Sequence, residues 1–193
     1  MNHPCWHTSM HEASHMAVYF QLGGKWNRDI EIKIQPGYGL VSLGVLHDQE
    51  HGIFLDFCVY AAGIAADRLS GTAGYTGKGS DTYAVRDLAI DLQYSEADIE
   101  LTINKLKAWL LKYNHLVTAV ANELICARNT KGKISKTKGK AIAAIFKTGL
   151  WRARKLTKYR QLKIKTSEMH LKNSTKNRTP SSDVYKLGKV GQL

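Results

Sequence analysis

Cysteine and proline are both scarce in this chain, three of each among 193 residues. Cys5, Cys58 and Cys126 are odd in number and widely scattered. That excludes a disulfide framework and reads as the reduced thiols of a cytosolic protein. No apolar run approaches the roughly 18 residues of a membrane-spanning helix. The opening Met1-Asn2-His3-Pro4-Cys5-Trp6-His7 lacks the basic-then-apolar pattern of a secretory leader. Internal repeats are missing, and so is any G-x-x-x-x-G-K-[ST] phosphate loop. Nothing in these residues could therefore drive ATP-dependent unfolding. Together these absences lead us to expect a soluble, cytoplasmic protein.

What is present is a substantial apolar fraction, 44%, enough for a real core. The net charge of +12 is unevenly spread. Residues 1–130 hold 10 Lys and Arg against 14 Asp and Glu, a balance of −4. Residues 131–193 hold 18 against 2, a balance of +16. Such asymmetry suggests a catalytic or binding body followed by a polyanion-seeking extension.

Thr8 or Ser9 is placed to cap a first helix that runs to about Leu22 and stops at Gly23-Gly24. Ile30, Ile32 and Ile34 alternate with Glu31 and Lys33, and Val41, Leu43 and Val45 alternate after Pro36-Gly37-Tyr38-Gly39. These patterns predict a β-hairpin. Residues 53–69 are alanine-rich and apolar, predicting a buried helix that ends at Ser70-Gly71. A glycine- and threonine-rich loop follows to Gly79, after which Ser80 can cap a short helix through Asp91. From Ile99 to Leu124 apolar residues recur at steps of four and three, the seam of one long helix with a bend expected near Asn114. Asn129 to Gly139 breaks the pattern, and Ile142 to Leu150 predicts another helix. Composition turns polar after about Lys165, and 173–182 is expected to be disordered.

His11-Glu12-Ala13-Ser14-His15 is an H-E-x-x-H motif within the first helix. Residues four apart lie one turn apart on the same face, so both imidazoles can reach one zinc ion. Glu12 then stands beside the ion, where it can take a proton from water and pass it to a leaving amine. Asp81, opening a helix after Gly77-Lys78-Gly79-Ser80, is the best candidate for a third ligand. His47-Asp48-Gln49-Glu50-His51 matches the inverted H-x-x-E-H motif. It lies in a polar stretch without helical periodicity and reads as a loop.

In order along the chain, the His11–His15 motif, the hairpin, the helix Val59–Leu69 and the segment Gly74-Tyr75-Thr76-Gly77-Lys78-Gly79-Ser80-Asp81 resemble the peptidase domain of the FtsH-type ATP-dependent zinc proteases. The run from Lys112 to Leu124, then Gly132-Lys133-Ile134, resembles that domain's closing helices. The likeness covers roughly residues 8–146. It implies zinc held by His11, His15 and Asp81, with Glu12 as catalytic base. The chain departs from the family pattern at Ser14, where glycine is usual, and at Ile64 and Asp67-Arg68, where arginine and a Glu-Glu pair are usual. The family's ATPase module and membrane segments are not found in these residues.

The fold expected is therefore α+β and mostly helical, a zincin-like domain over residues 1–146 with a basic C-terminal extension over 147–193. The expected function is a stand-alone zinc metallopeptidase, ATP-independent by itself, acting on flexible protein or peptide substrates or on those delivered by a separate unfoldase or adaptor. Within the extension Lys147, Arg152, Arg154, Lys155, Lys158, Arg160, Lys163 and Lys165, interleaved with Trp151 and Tyr159, are expected to contact DNA or RNA. An anionic membrane surface is a further target for so basic a segment. The alternative function is a nucleic-acid-binding or interaction protein built on the same zinc scaffold, without proteolysis.

Overall fold

The computed structural model describes residues 3–26, 30–44, 51–71 and 80–151. Among them are six helices and one small antiparallel sheet: α1 (Trp6–Gln21), β1 (Glu31–Gln35), β2 (Tyr38–Ser42), α2 (Gly52–Ser70), α3 (Ser80–Asp91), α4 (Glu96–Lys112), α5 (Asn114–Ala127), β3 (Lys133–Ile134) and α6 (Lys136–Trp151). The class is α+β, dominated by helix. No helix among the described residues is long and apolar enough to cross a membrane.

α1 begins earlier than its Thr8 and Ser9 suggest. The chain before it is turned by His3, whose carbonyl accepts from Trp6 N–H (2.8 Å) and whose Nδ1 accepts from Cys5 N–H (3.0 Å). Cys5 occupies the cap without a side-chain bond, and Ser9 is turned fully into the core. A residue that sequence alone offers as a cap is thus used for packing. The helix ends where expected, with Leu22 at the cap and Gly23 at a φ of 98°.

The hairpin is closed by Pro36-Gly37, with Gln35 paired to Tyr38 and Gly37 at a φ of 69°. Proline followed by a positive-φ glycine is the arrangement of a type II turn. Alternation sends Ile32 and Ile34 inward, both essentially inaccessible, while Glu31, Lys33 and Gln35 face out. The expected pattern break at 129–139 is in fact a third strand and the first turn of α6. β3 pairs with β1 through Ile32–Ile134 and Lys33–Lys133, giving the order β2-β1-β3. At two residues, β3 is too short to show a periodicity.

The long helix expected from Ile99 to Leu124, with a bend near Asn114, is two helices separated at Tyr113. Its apolar seam is real, with Ile99, Ile103, Leu106, Leu110, Val117, Val120 and Leu124 all buried. The halves serve different partners, however: α4 packs on α2, whereas α5 packs on α1. A straight helix could not follow both. Ser95 starts α4 with a reciprocal capping box to Asp98. α6 closes the core, burying Ile142, Ala143 and Phe146, the last with its ring 6.4 Å from that of Phe20. The helix runs on through Phe146 to Trp151, so the first residues of the extension placed at 147–193, expected to be partly helical, belong to α6.

Because Phe146 is wholly buried between α6 and α1, Phe146→Ala should cost about 3–5 kcal/mol by urea denaturation, whereas Leu111→Ala, at an exposed position, should cost less than about 0.5. Equal, small effects would show that α6 is not part of the core.

Candidate metal centre

α1 and α2 lie antiparallel, and their contact builds the site. Along α1, His11 and His15 are one turn apart on one face. Along α2, Val59, Gly63 and Asp67 are spaced by four and form the facing stripe. His15 Nδ1–H donates to the Val59 carbonyl (2.7 Å), and His11 Nδ1–H donates to Asp67 Oδ1 (3.0 Å). Between these two tethers stands Gly63. A Cβ there would come 2.5 Å from His15 Nε2 and 2.6 Å from His11 Cε1, so the rings occupy space that only glycine leaves. Ser14 keeps α1 close-packed too: it is buried, with its hydroxyl donating to the Met10 carbonyl (2.8 Å).

Both acceptors, a carbonyl and a carboxylate, can only receive a hydrogen, so each ring carries one on Nδ1. In the neutral rings both Nε2 atoms then present lone pairs, and both point to one place. Their separation is 3.0 Å, and Asp81 Oδ2 lies 2.8 Å from His11 Nε2 and 3.0 Å from His15 Nε2. Three electron-rich atoms in a near-equilateral triangle repel one another unless positive charge sits among them. His11, His15 and Asp81 could therefore hold a metal ion. The three atoms are close enough together for one ion to reach all of them at ordinary ligand distances of about 2.0–2.2 Å. Hydrogen-bonding the far nitrogen of each ring is how metal-binding histidines are usually oriented.

Protons supply the same charge when no ion does. Burial opposes a charged ring at His11, but the hydrogen bonds from Asp67 and Asp81 outweigh it and push the pKa up to about 10. His15 is raised in the same way, burial being overcome by Asp81. Burial also opposes ionisation of Asp81, yet the bonds from His11 and His15 hold its carboxyl well below the usual range.

Glu12 is buried beside this triangle, 6% exposed. Burial raises its pKa, moderated by the charges of His15 and His11. The Val41 N–H of β2 hydrogen-bonds the carboxylate. Gly39, also on β2, packs so closely that a Cβ there would overlap Glu12 Oε1. The hairpin is thus clamped onto the acidic residue of the motif.

The structure places His11, His15 and Asp81 together, with Glu12 beside them. Asp67, Gly63 and the Val59 carbonyl were not foreseen as parts of the site. Their spacing of four along a helix was the one available signal, and it singles out their face only when the partner helix is known. Of the inverted motif, residues 47–50 fall outside the described residues, and His51 begins α2 in the left-handed region at a φ of 64°. Lys147 lies on α6, with its side chain outside the described set. Arg152, Arg154, Lys155, Lys158, Arg160, Lys163 and Lys165 lie outside the described residues altogether. Comparison of the chain with protein-family models, with curated proteins and with solved structures finds no match.

Alanine at His11, His15 or Asp81 should abolish stable metal loading by elemental analysis, whereas Asp87→Ala and Asp91→Ala, at exposed sites further along α3, should not. Asp67→Asn should weaken binding roughly 10–100-fold in a chelator competition, and Gly63→Ala should be at least as damaging. Full loading of His11→Ala would remove the assignment.

A second expectation concerns pH. In chelator-treated protein, stability from the raised His11 is complete below its unfolded value near 6.5 and is lost as pH climbs through about 10. Stability from the depressed Asp81 is present above about 3.8 and is lost in acid. Urea midpoints should therefore be highest at about pH 4–6.5 and fall on the alkaline side. That fall should shrink in His11→Gln; an unchanged alkaline slope would contradict the His11–Asp67–Asp81 pairing.

Proposed function

We propose that this chain is a cytoplasmic zinc metallopeptidase, zincin-like and related in design to the FtsH-type peptidase domain, that hydrolyses peptide bonds in flexible segments or in substrates presented by a separate unfoldase or adaptor. The observation that carries this reading is the convergence of two tethered imidazoles and Asp81 beside a buried, hydrogen-bonded Glu12. When bound, zinc supplies Lewis acidity that polarises a carbonyl and makes water a usable nucleophile near neutral pH. His11, His15 and Asp81 are the residues that would hold it.

The remaining work falls to the protein. Glu12 accepts the proton of the attacking water and returns it to the departing amine nitrogen. Its burial suits the task, since a raised pKa brings a carboxylate nearer the working pH and makes it a stronger base. Asp67 and the Val59 carbonyl keep both ring hydrogens on Nδ1, so neither histidine competes for that proton.

The hairpin offers a means of presenting substrate. The residue pair flanking a two-residue turn is hydrogen-bonded, and bonded pairs then alternate. Gln35–Tyr38 and Lys33–Leu40 are such pairs, so Gly39 and Val41 turn their backbone groups to the outer edge of β2, which pairs with no further strand among the described residues and where the Val41 N–H meets Glu12. A peptide adding to that edge as a further strand would lie directly against Glu12.

Glu12→Gln keeps the side chain's size and should retain metal and fold while peptide-library or casein cleavage falls roughly 10²–10⁴-fold. In the same assay, backbone N-methylation of a cleaved peptide should abolish its binding if the edge is used. Metal-loaded wild-type protein that cleaves no unfolded substrate would put the non-catalytic scaffold ahead.

A further inference from the structure

The sheet has a second face, turned away from α1, and it does not look like an ordinary solvent face. Strand alternation places Lys33 of β1, Tyr38 and Leu40 of β2, and Lys133 of β3 on it. Lys33 stands directly opposite Lys133 in the β1–β3 register. Like charges placed so are unfavourable. Lys133 has an exposed partner in Glu31 at 3.4 Å, a contact that solvent leaves weak. Lys33 instead lies over the Tyr38 ring, 5.2 Å from its centroid. The ring is 49% exposed and Leu40 38%. At the β1–β3 end of the sheet, where α6 begins, opens a groove of about 510 Å³ lined from both faces, among others by Ile30, Glu31, Lys133, Ile134 and Lys136. Among the described residues after Glu123 there is no Asp or Glu.

We propose that this outer face binds single-stranded nucleic acid, with Tyr38 stacking on a base and Lys33 and Lys133 holding phosphates. Charge complementarity selects a polyanion: a line of phosphates relieves the Lys33–Lys133 opposition, which among the described residues is met only by the exposed Glu31 contact to Lys133. The exposed ring selects a single strand, because a duplex keeps its base faces stacked inside and has none to offer a flat platform. The surface lies on the opposite face of the sheet from Glu12 and is made of residues other than those of the C-terminal extension, and it goes beyond the peptidase reading without depending on it.

The test is fluorescence anisotropy of a labelled oligothymidylate with full-length protein, titrated with salt. Every variant retains the same C-terminal extension, so differences between them report on the sheet. All substitutions are at solvent-accessible positions, and unchanged thermal unfolding verifies the fold. Tyr38→Ala should weaken binding about tenfold with the salt slope unchanged, while Tyr38→Phe should bind as wild type. Lys33→Ser combined with Lys133→Ser should weaken binding and reduce the salt slope by about 1.4, two phosphates at roughly 0.7 each. Glu31→Gln should tighten it. Wild-type affinity in the Tyr38 and lysine variants would overturn the proposal and place binding in the extension. Equal affinity for duplex, heparin or an acidic peptide, unaffected by Tyr38→Ala, would overturn it in favour of general anion attraction. No binding at low salt would overturn it outright.

Discussion

The close approach of α1 and α2 at Gly63 is the constraint on which the rest of this structure depends. Two imidazole rings fill the volume that a side chain at position 63 would take. On either side of that gap, Val59 and Asp67 fix the ring hydrogens. Were the helices further apart, the rings would rotate freely and their Nε2 atoms would not converge. Asp81, arriving on a third helix, completes the triangle only because the two rings are already aimed. α2 is also gripped from behind: Arg68, the residue after Asp67, makes a bidentate pair with Glu100 of α4, at 2.6 and 2.7 Å. That pair is partly exposed and adds little to stability.

The sheet is small, yet it divides the surface into two chemistries. Its inner face packs on α1, and through Gly39 and Val41 it touches Glu12 directly. Its outer face presents lysines and an exposed tyrosine. The period-two geometry of a strand is what allows a segment as short as Tyr38–Ser42 to serve both sides. Leu40 faces out and Val41 faces in, and a slip of one residue in the register would exchange them. The Pro36-Gly37 turn prevents that slip, because it determines which residues pair first.

Motifs confined to one element were readable in advance. The spacing of His11, Glu12 and His15 follows from helical geometry alone, and so does the burial of Ile32 and Ile34 from strand geometry. The seam from Ile99 to Leu124 was correctly apolar on one side. A bend near Asn114 was expected; that it is a complete break at Tyr113 was not visible, because the helices part there to meet two partners and not through any glycine or proline of their own. Likewise β3 has only Lys133 and Ile134, and a two-residue strand exists only by virtue of the strand it pairs with.

Local periodicity, then, determined from sequence alone that the chain is mostly helical with a hairpin, and which residues of α1 share a face with the two histidines. Tertiary structure decided that Asp67 and the Val59 carbonyl orient those histidines, that Gly63 must be small, and that Glu12 is held by β2. It also decided that Lys33 and Lys133 stand side by side. The reason is physical: periodicity is a property of one segment, whereas a ligand triangle, a hydrogen-bond tether and a cross-strand charge pair each join residues from separate elements. Their distances are set by how those elements pack, and no single segment carries that information.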